Sequence, residues 1–135
     1  MEPLVLVVDD DSEIAAFLDE AIQEVGYRVV TAVDGKALPS CDTPLWSVEK
    51  KRIVTVEGLG RGGELHPVQK ALLDEQAGQC GYCISGIAVA AAALISQNPD
   101  PSEQQVREAL DRNLCRCGVH NRVVRAVLRA AQEIR

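Results

Sequence analysis

The chain has 135 residues, a formal net charge of −6 at pH 7 and only 3% aromatic residues. This length makes one ordinary domain or two very small ones, and the acidic balance argues against a nucleic-acid partner. The longest apolar run, residues 84–95, is too short to span a bilayer, and no secretory leader pattern opens the sequence. We therefore expect a cytoplasmic protein with no membrane contact and a core of aliphatic residues and alanine.

Residues 1–38 have the pattern of a strand–helix–strand unit. Residues 4–8 are a continuous aliphatic run, which is typical of a buried strand. Apolar residues recur at helical spacing over residues 14–25, and residues 27–33 predict a second strand. Three aspartates at residues 9–11 favour a helix-capping acidic turn and only weakly indicate a cation site.

This opening resembles the start of a response-regulator receiver domain over about residues 4–38. The aspartates at residues 9–11 match the acidic corner that binds Mg²⁺ in that family. The phosphoacceptor aspartate, the Thr/Ser and the lysine that a receiver carries further on have no counterpart here. The resemblance therefore implies a receiver-like βαβ fragment, and a signalling fragment stands as an alternative function.

Residues 39–63 predict one further strand and a connector. Residues 52–57 alternate and are rich in β-branched side chains, so we expect a strand there. Residues 58–63 contain four glycines and predict a flexible connector.

Residues 64–135 predict four helices, which makes the fold class α+β. The first helix begins with His66 and Pro67, with His66 expected as a helix-start residue, and is expected to end at Gly78. The second helix covers the apolar run 84–95, which predicts burial on every side.

The third and fourth helices have start signals of their own. Residues 102–105 read as a capping box. Asn121 is expected to cap the fourth helix, with a solvated outer face made by three arginines, Arg122, Arg125 and Arg129.

Four of the five cysteines form two close pairs. Cys80 and Cys83 stand as C-x2-C, Cys115 and Cys117 as C-x-C, and residues 84–114 separate the pairs. Each pair precedes a predicted helix, so both should meet at one end of a four-helix bundle, where backbone N–H groups favour an anionic group. This pattern favours a shared metal centre over a disulfide or four separate thiols.

Iron–sulfur clusters and structural zinc both take thiolate ligands. The C-x-C pair is tighter than the usual zinc knuckle, which favours iron–sulfur. A zinc-stabilised helical domain stands as a further alternative.

Three stretches carry a second resemblance, namely Gln79–Cys83, Asn98–Pro101 and Asn113–Cys117. They resemble the helical 2Fe–2S domain of the small subunit of molybdenum hydroxylases, the group of isoquinoline 1-oxidoreductase, aldehyde oxidoreductase and carbon monoxide dehydrogenase. The match begins at about residue 33. Residues 118–120 read Gly-Val-His where Thr-Gly-Tyr is commoner, and are closer to the isoquinoline branch.

The resemblance implies a site and a partner. One 2Fe–2S cluster, the one nearest the molybdenum, would be bound by four ligands, Cys80, Cys83, Cys115 and Cys117. Gln79 would hydrogen-bond the pterin of molybdopterin, which belongs to a separate large subunit. The chain would then be an oxidoreductase electron-transfer subunit with no complete active site of its own.

The two resemblances meet at residues 32–38, so the chain resembles a hybrid of two families. We expect a receiver-like fragment over residues 1–38, a β-grasp remnant and connector over 39–63, and the helical domain over 64–135. Cys41 matches the fourth ligand of the family's plant-type cluster. Because residues 1–40 contain no cysteine, Cys41 is expected to be a leftover thiol.

Overall fold

The fold is described from a computed structural model. The described residues are 30–33, 35–39, 43–49, 51–60 and 62–134. The predicted strand and helix of residues 4–25, the aspartates at residues 9–11 and Cys41 therefore lie outside the described residues. Strands and helices are both present, as the α+β class requires.

A small antiparallel sheet precedes the helices. Its strands are β1 (Val30–Val33), β2 (Lys36–Pro39) and β3 (Ile53–Val54), in the order β2-β1-β3. Val33 pairs with Lys36, and Gly35 has a φ of +80°, a positive value that tight hairpin turns favour. β1 and β2 therefore form an antiparallel hairpin.

The strand predicted over residues 52–57 is wrong in its second half. β3 ends at Val54, where it pairs with Ala32 of β1. Thr55 then caps the short helix α1 (Val56–Leu59), because its Oγ1 accepts the N–H of Gly58 at 3.2 Å. The expected connector therefore starts only after Leu59.

Four further helices occur where the sequence predicts them. They are α2 (Pro67–Asp74), α3 (Ile84–Gln97), α4 (Glu103–Ala109) and α5 (His120–Ile134). α2 packs on α3 and α5, and α4 packs on the same two helices, so the four contact one another in a ring. No helix within the described ranges is long and apolar enough to cross a membrane.

The core is aliphatic, and α3 lies at its centre. Ile87 and Val89 of α3 are fully buried, and so are Val68 of α2, Val106 of α4 and Val127 of α5. α3 also contacts β1, β2 and α1, so its burial on nearly every side is confirmed. Burying each such side chain stabilises the fold by about 1.5–3 kcal/mol.

Two predicted helix starts are confirmed by their caps. The imidazole Nδ1 of His66 accepts the N–H of Val68 at 3.2 Å, with Pro67 in the first turn. The hydroxyl of Ser102 accepts the N–H of Gln105 at 3.2 Å and completes a capping box.

The end of α2 differs from the prediction of Gly78. Gln76 takes the left-handed conformation, with φ +49°. Its N–H donates to the carbonyl of Leu73 at 2.9 Å, and the N–H of Ala77 donates to that of Leu72 at 2.9 Å. This Schellman motif ends the helix without glycine, so the chain leaves α2 earlier than expected.

The start of α5 also differs from the prediction. The helix begins at His120, and the carbonyl of Val119 already accepts the N–H groups of Arg122 and Val123, at 2.9 and 3.1 Å. Asn121 is therefore inside the first turn, and its predicted capping role is wrong.

The arginine face of α5 is exposed, as predicted, but it also contacts α2. Arg129 lies 3.0 Å from the carboxylate of Asp74 and 3.6 Å from that of Glu75. Arg125 lies 3.3 Å from Glu75. These ion pairs join α5 to the end of α2, immediately before the first cysteines.

Candidate metal centre

The structure brings the four paired cysteines together. The Sγ atoms of Cys80 and Cys117, 37 residues apart, are 3.4 Å from each other. The thiol of Cys83 forms a hydrogen bond with that of Cys115. All four are free thiols, so the disulfide alternative finds no support here.

The first cysteine loop, residues 79–83, connects α2 to α3. Gly81 has φ +82°, and its carbonyl accepts the N–H of Ile84 at 3.1 Å. Cys83 occupies the N-cap position of α3, whereas Cys80 is exposed. The turn that glycine permits thus places one thiol at a helix start and the other at the surface.

The second cysteine loop, residues 113–118, leads into α5. Cys115 is only 6% exposed, and its carbonyl accepts the N–H of Gly118 at 3.3 Å. Its own N–H donates to the imidazole Nε2 of His120 at 2.9 Å. Cys117 is partly exposed and lies opposite Cys80.

In the outer pair of thiols, Cys80 and Cys117, the two pKa values are shifted in opposite directions. The pKa of Cys80 is lowered from its ordinary value, first by the N–H of Tyr82 and then by the hydrogen bond with Cys117. For Cys117, the N–H of Cys80 lowers the pKa, but the thiol hydrogen bond with Cys80, burial and the nearby thiols outweigh it, so the pKa is raised.

The inner pair, Cys83 and Cys115, diverges in the same way. Burial, the hydrogen bond with Cys115 and the charge on Cys115 raise the pKa of Cys83 to about 11. Burial also acts to raise the pKa of Cys115, but the N–H of Val119, the bond with Cys83 and further backbone N–H groups lower it overall. Each pair therefore contains one thiol with a lowered pKa and one with a raised pKa.

This electrostatic arrangement fits a cationic iron or zinc centre. Four thiolates at these separations would repel one another, and a bound metal relieves that repulsion while releasing the remaining protons. Within the described part of the chain, no three Cys, His, Asp or Glu side chains already have the geometry of a metal site. The sulfurs are paired through thiol hydrogen bonds, so binding of a metal requires deprotonation of these thiols.

Two other residues singled out in the sequence, Gln79 and His66, lie outside the group of four thiols. Gln79 is exposed at the start of the first cysteine loop. His66 caps α2, which confirms it as a helix-start residue. His120 is the residue that the sequence reasoning missed, although its position just after the second pair, in the segment that departs from the commoner pattern, was a usable signal.

Comparison with known proteins places the chain in a family. The model of a 2Fe-2S binding domain matches residues 55–128. A nicotinate dehydrogenase subunit of Pseudomonas putida is 50% identical over 100 residues, which cover 74% of this chain and 64% of that protein. The alpha subunit of isoquinoline 1-oxidoreductase from Brevundimonas diminuta is 48% identical over 101 residues, covering 75% and 66%. The chain thus spans slightly less than two thirds of these relatives.

Solved structures agree with this assignment. The quinoline 2-oxidoreductase of Pseudomonas putida 86 superposes with a TM-score of 0.70 and 34% identity, over 76% of this chain and 65% of that one. The aldehyde oxidoreductase of Desulfovibrio gigas superposes with a TM-score of 0.76 and 34% identity, over 96% of this chain and 16% of that one. Since the matching family model covers more than half of the sequence and includes all four paired cysteines, this protein belongs to the 2Fe-2S binding domain family.

Proposed function

We propose that this chain is the 2Fe–2S electron-transfer subunit, or part of it, of a molybdenum-dependent hydroxylase. One cluster would be held by Cys80, Cys83, Cys115 and Cys117. The observation that carries the proposal is the meeting of the two cysteine loops, with the Sγ atoms of Cys80 and Cys117 3.4 Å apart. A bound 2Fe–2S cluster supplies one-electron transfer.

The protein's own contribution is binding and positioning. Each loop supplies two thiolates and leads directly into a helix, α3 or α5. The N-terminal N–H groups of these helices favour negative charge. The helices α2 to α5 would form the four-helix bundle of the domain predicted over residues 64–135, with the β-grasp remnant and connector of residues 39–63 before it.

The partner is inferred from the relatives. Both curated relatives are named as subunits, which supports a separate large subunit that contains molybdopterin. This chain would contact molybdopterin only from across that interface, and the exposed Gln79 beside Cys80 would be the residue that reaches it. The chain alone would turn over no substrate, and we place it in the cytoplasm.

Iron–sulfur reconstitution of the purified full chain tests the ligand proposal. We expect visible absorbance together with two iron and two inorganic sulfide atoms per chain, which is the composition of one 2Fe–2S cluster. A colourless protein that binds zinc without sulfide would establish the zinc-stabilised alternative. Four iron atoms per chain would contradict the single cluster.

A further inference from the structure

One side chain connects the second cysteine loop to the first residue of α5. The backbone N–H of Cys115 donates to Nε2 of His120, the first residue of α5, at 2.9 Å. An imidazole nitrogen accepts only when it carries no proton, so this bond requires the tautomer of His120 that has its proton on Nδ1.

The hydrogen bond between Cys115 and His120 differs from an ordinary helix cap in the positions of its donor and acceptor. A capping side chain precedes the helix and accepts an N–H of its first turn, whereas His120 belongs to α5 and accepts an N–H from five residues earlier. It therefore satisfies no N–H of α5. The Nε2 of His120 instead accepts the N–H of Cys115. Cys115 is buried, and a buried N–H without a partner would destabilise the fold.

The sulfur of Cys115 interacts with backbone N–H groups of the same segment. The backbone N–H groups of Val119, Cys117 and Gly118 donate toward that sulfur. The loop is held at Cys115 by the bond to His120, and across its turn by the 3.3 Å bond from the N–H of Gly118 to the Cys115 carbonyl. The bond to His120 and the N–H groups that act on this sulfur thus belong to the same short segment, residues 115–120.

We propose that His120 is a positioning residue for the metal centre, which closes the second cysteine loop so that backbone N–H groups point at the Cys115 sulfur. This inference rests on the proposed function, since it assigns Cys115 as a cluster ligand. Hydrogen bonds to ligand sulfurs tune the reduction potential of iron–sulfur clusters. N–H donors stabilise the more negative, reduced state, so their loss moves the potential in the negative direction.

Two variants of His120 distinguish the effect of its hydrogen-bond acceptor from the effect of its aromatic ring. His120→Phe keeps an aromatic ring without an acceptor, and His120→Gln keeps an acceptor at a similar reach without a ring. In the reconstituted full chain we expect His120→Phe to shift the midpoint potential to more negative values and His120→Gln to restore it toward that of the wild type. Unchanged potentials in both variants, or equal shifts in both, would overturn the proposal.

A metal-free measurement keeps this inference separate from the proposed function. Nitrogen NMR of the full wild-type chain should show the Nδ1–H tautomer of His120, and the Cys115 amide should exchange about tenfold faster in His120→Phe than in His120→Gln. An Nε2–H tautomer in the wild type would refute the inference even where His120→Phe does not fold. Failure of the wild type to bind a cluster would instead contradict the proposed function, while the tautomer and exchange data still decide the role of His120 in closing the loop.

Discussion

The two cysteine loops are held in place by different parts of the molecule. The second loop is fastened within a short segment, since Cys115 bonds to His120 and to Gly118. The position of the first loop, residues 79–83, depends on the end of α2, where Arg122 donates to the carbonyl of Gln76 at 3.3 Å. Cys115 is buried, whereas Cys80 is exposed.

This difference indicates how the site is assembled. Short-range contacts form the geometry of the second loop, and the packing of α2 on α5 brings the first loop to it. Damage to the α2–α5 contact should therefore displace Cys80 and Cys83 more than Cys115 and Cys117.

The largest expected effect comes from the ligands themselves. Cys83→Ser and Cys115→Ser should each abolish the visible absorbance of the reconstituted protein, because either loss removes one of four thiolates. Cys115→Ser should also lower the melting temperature of the metal-free chain, since it places a hydroxyl at a buried position, whereas Cys80→Ser at the surface should not.

Cys41→Ser is the matched control for these variants, and its absorbance should equal that of the wild type. Bleaching in Cys41→Ser would show that the ligand set is wrong. Equal melting temperatures for metal-free Cys115→Ser and Cys80→Ser would contradict the contrast between the two loops.

Neighbouring leucines test the packing of α2. Leu72 is 5% exposed and Leu73 is 66% exposed. Leu72→Ala should lower the free energy of unfolding by about 2–5 kcal/mol through loss of buried contacts and the resulting cavity, and Leu73→Ala by less than about 0.5 kcal/mol. Denaturant titration measures both, and similar losses for the two variants would disprove this account of the core.

His66 should make α2, and with it the first loop, sensitive to acid. Burial lowers the pKa of His66 below its ordinary value of 6.5, so the folded state favours the neutral imidazole that accepts the N–H of Val68. The hydrogen bond of His66 therefore contributes fully to the free energy of unfolding above pH 6.5, and this contribution is lost as the pH falls through the folded-state pKa of His66.

His66→Ser retains a capping oxygen without this titration. The stability of the wild type relative to His66→Ser should therefore decline between pH 7 and pH 5, by no more than about 1 kcal/mol, the usual scale of a helix cap. A difference that stays constant over this range would exclude His66 as the source of acid sensitivity.

The smallest expected effect concerns the ion pairs between α5 and α2. Arg129→Gln removes the contacts with Asp74 and Glu75 and should lower the melting temperature slightly at low salt, with the difference vanishing at high salt. Arg107→Gln removes an exposed pair with Glu103 inside α4 and a 3.4 Å bond to Asn121 of α5, and it serves as the control. Faster alkylation of Cys80 is expected only in Arg129→Gln, and equal rates in both variants would contradict a role for these pairs in positioning the first loop.

The sequence predicted the positions of α2, α3 and α4 well, because the residues that start or bury each helix lie within a few positions of one another. Pro67 after His66, the box at residues 102–105 and the apolar run 84–95 each identified a helix from short-range chemistry. The same approach was wrong at the end of α2, where Gln76 takes a left-handed conformation that favours glycine. It was also wrong at residues 55–57, where a single side-chain cap outweighed the β-branched composition.

The sequence by itself determined the candidate ligands, because the spacing of two cysteine pairs restricts the chemistry to few centres. It also determined the order of the four helices. Only the tertiary structure decided which thiols face each other, since the approach of Cys80 to Cys117 depends on the packing of helices that are distant in sequence. The role of His120 was likewise decided in three dimensions, because a hydrogen bond depends on the direction of a side chain, which sequence spacing does not specify.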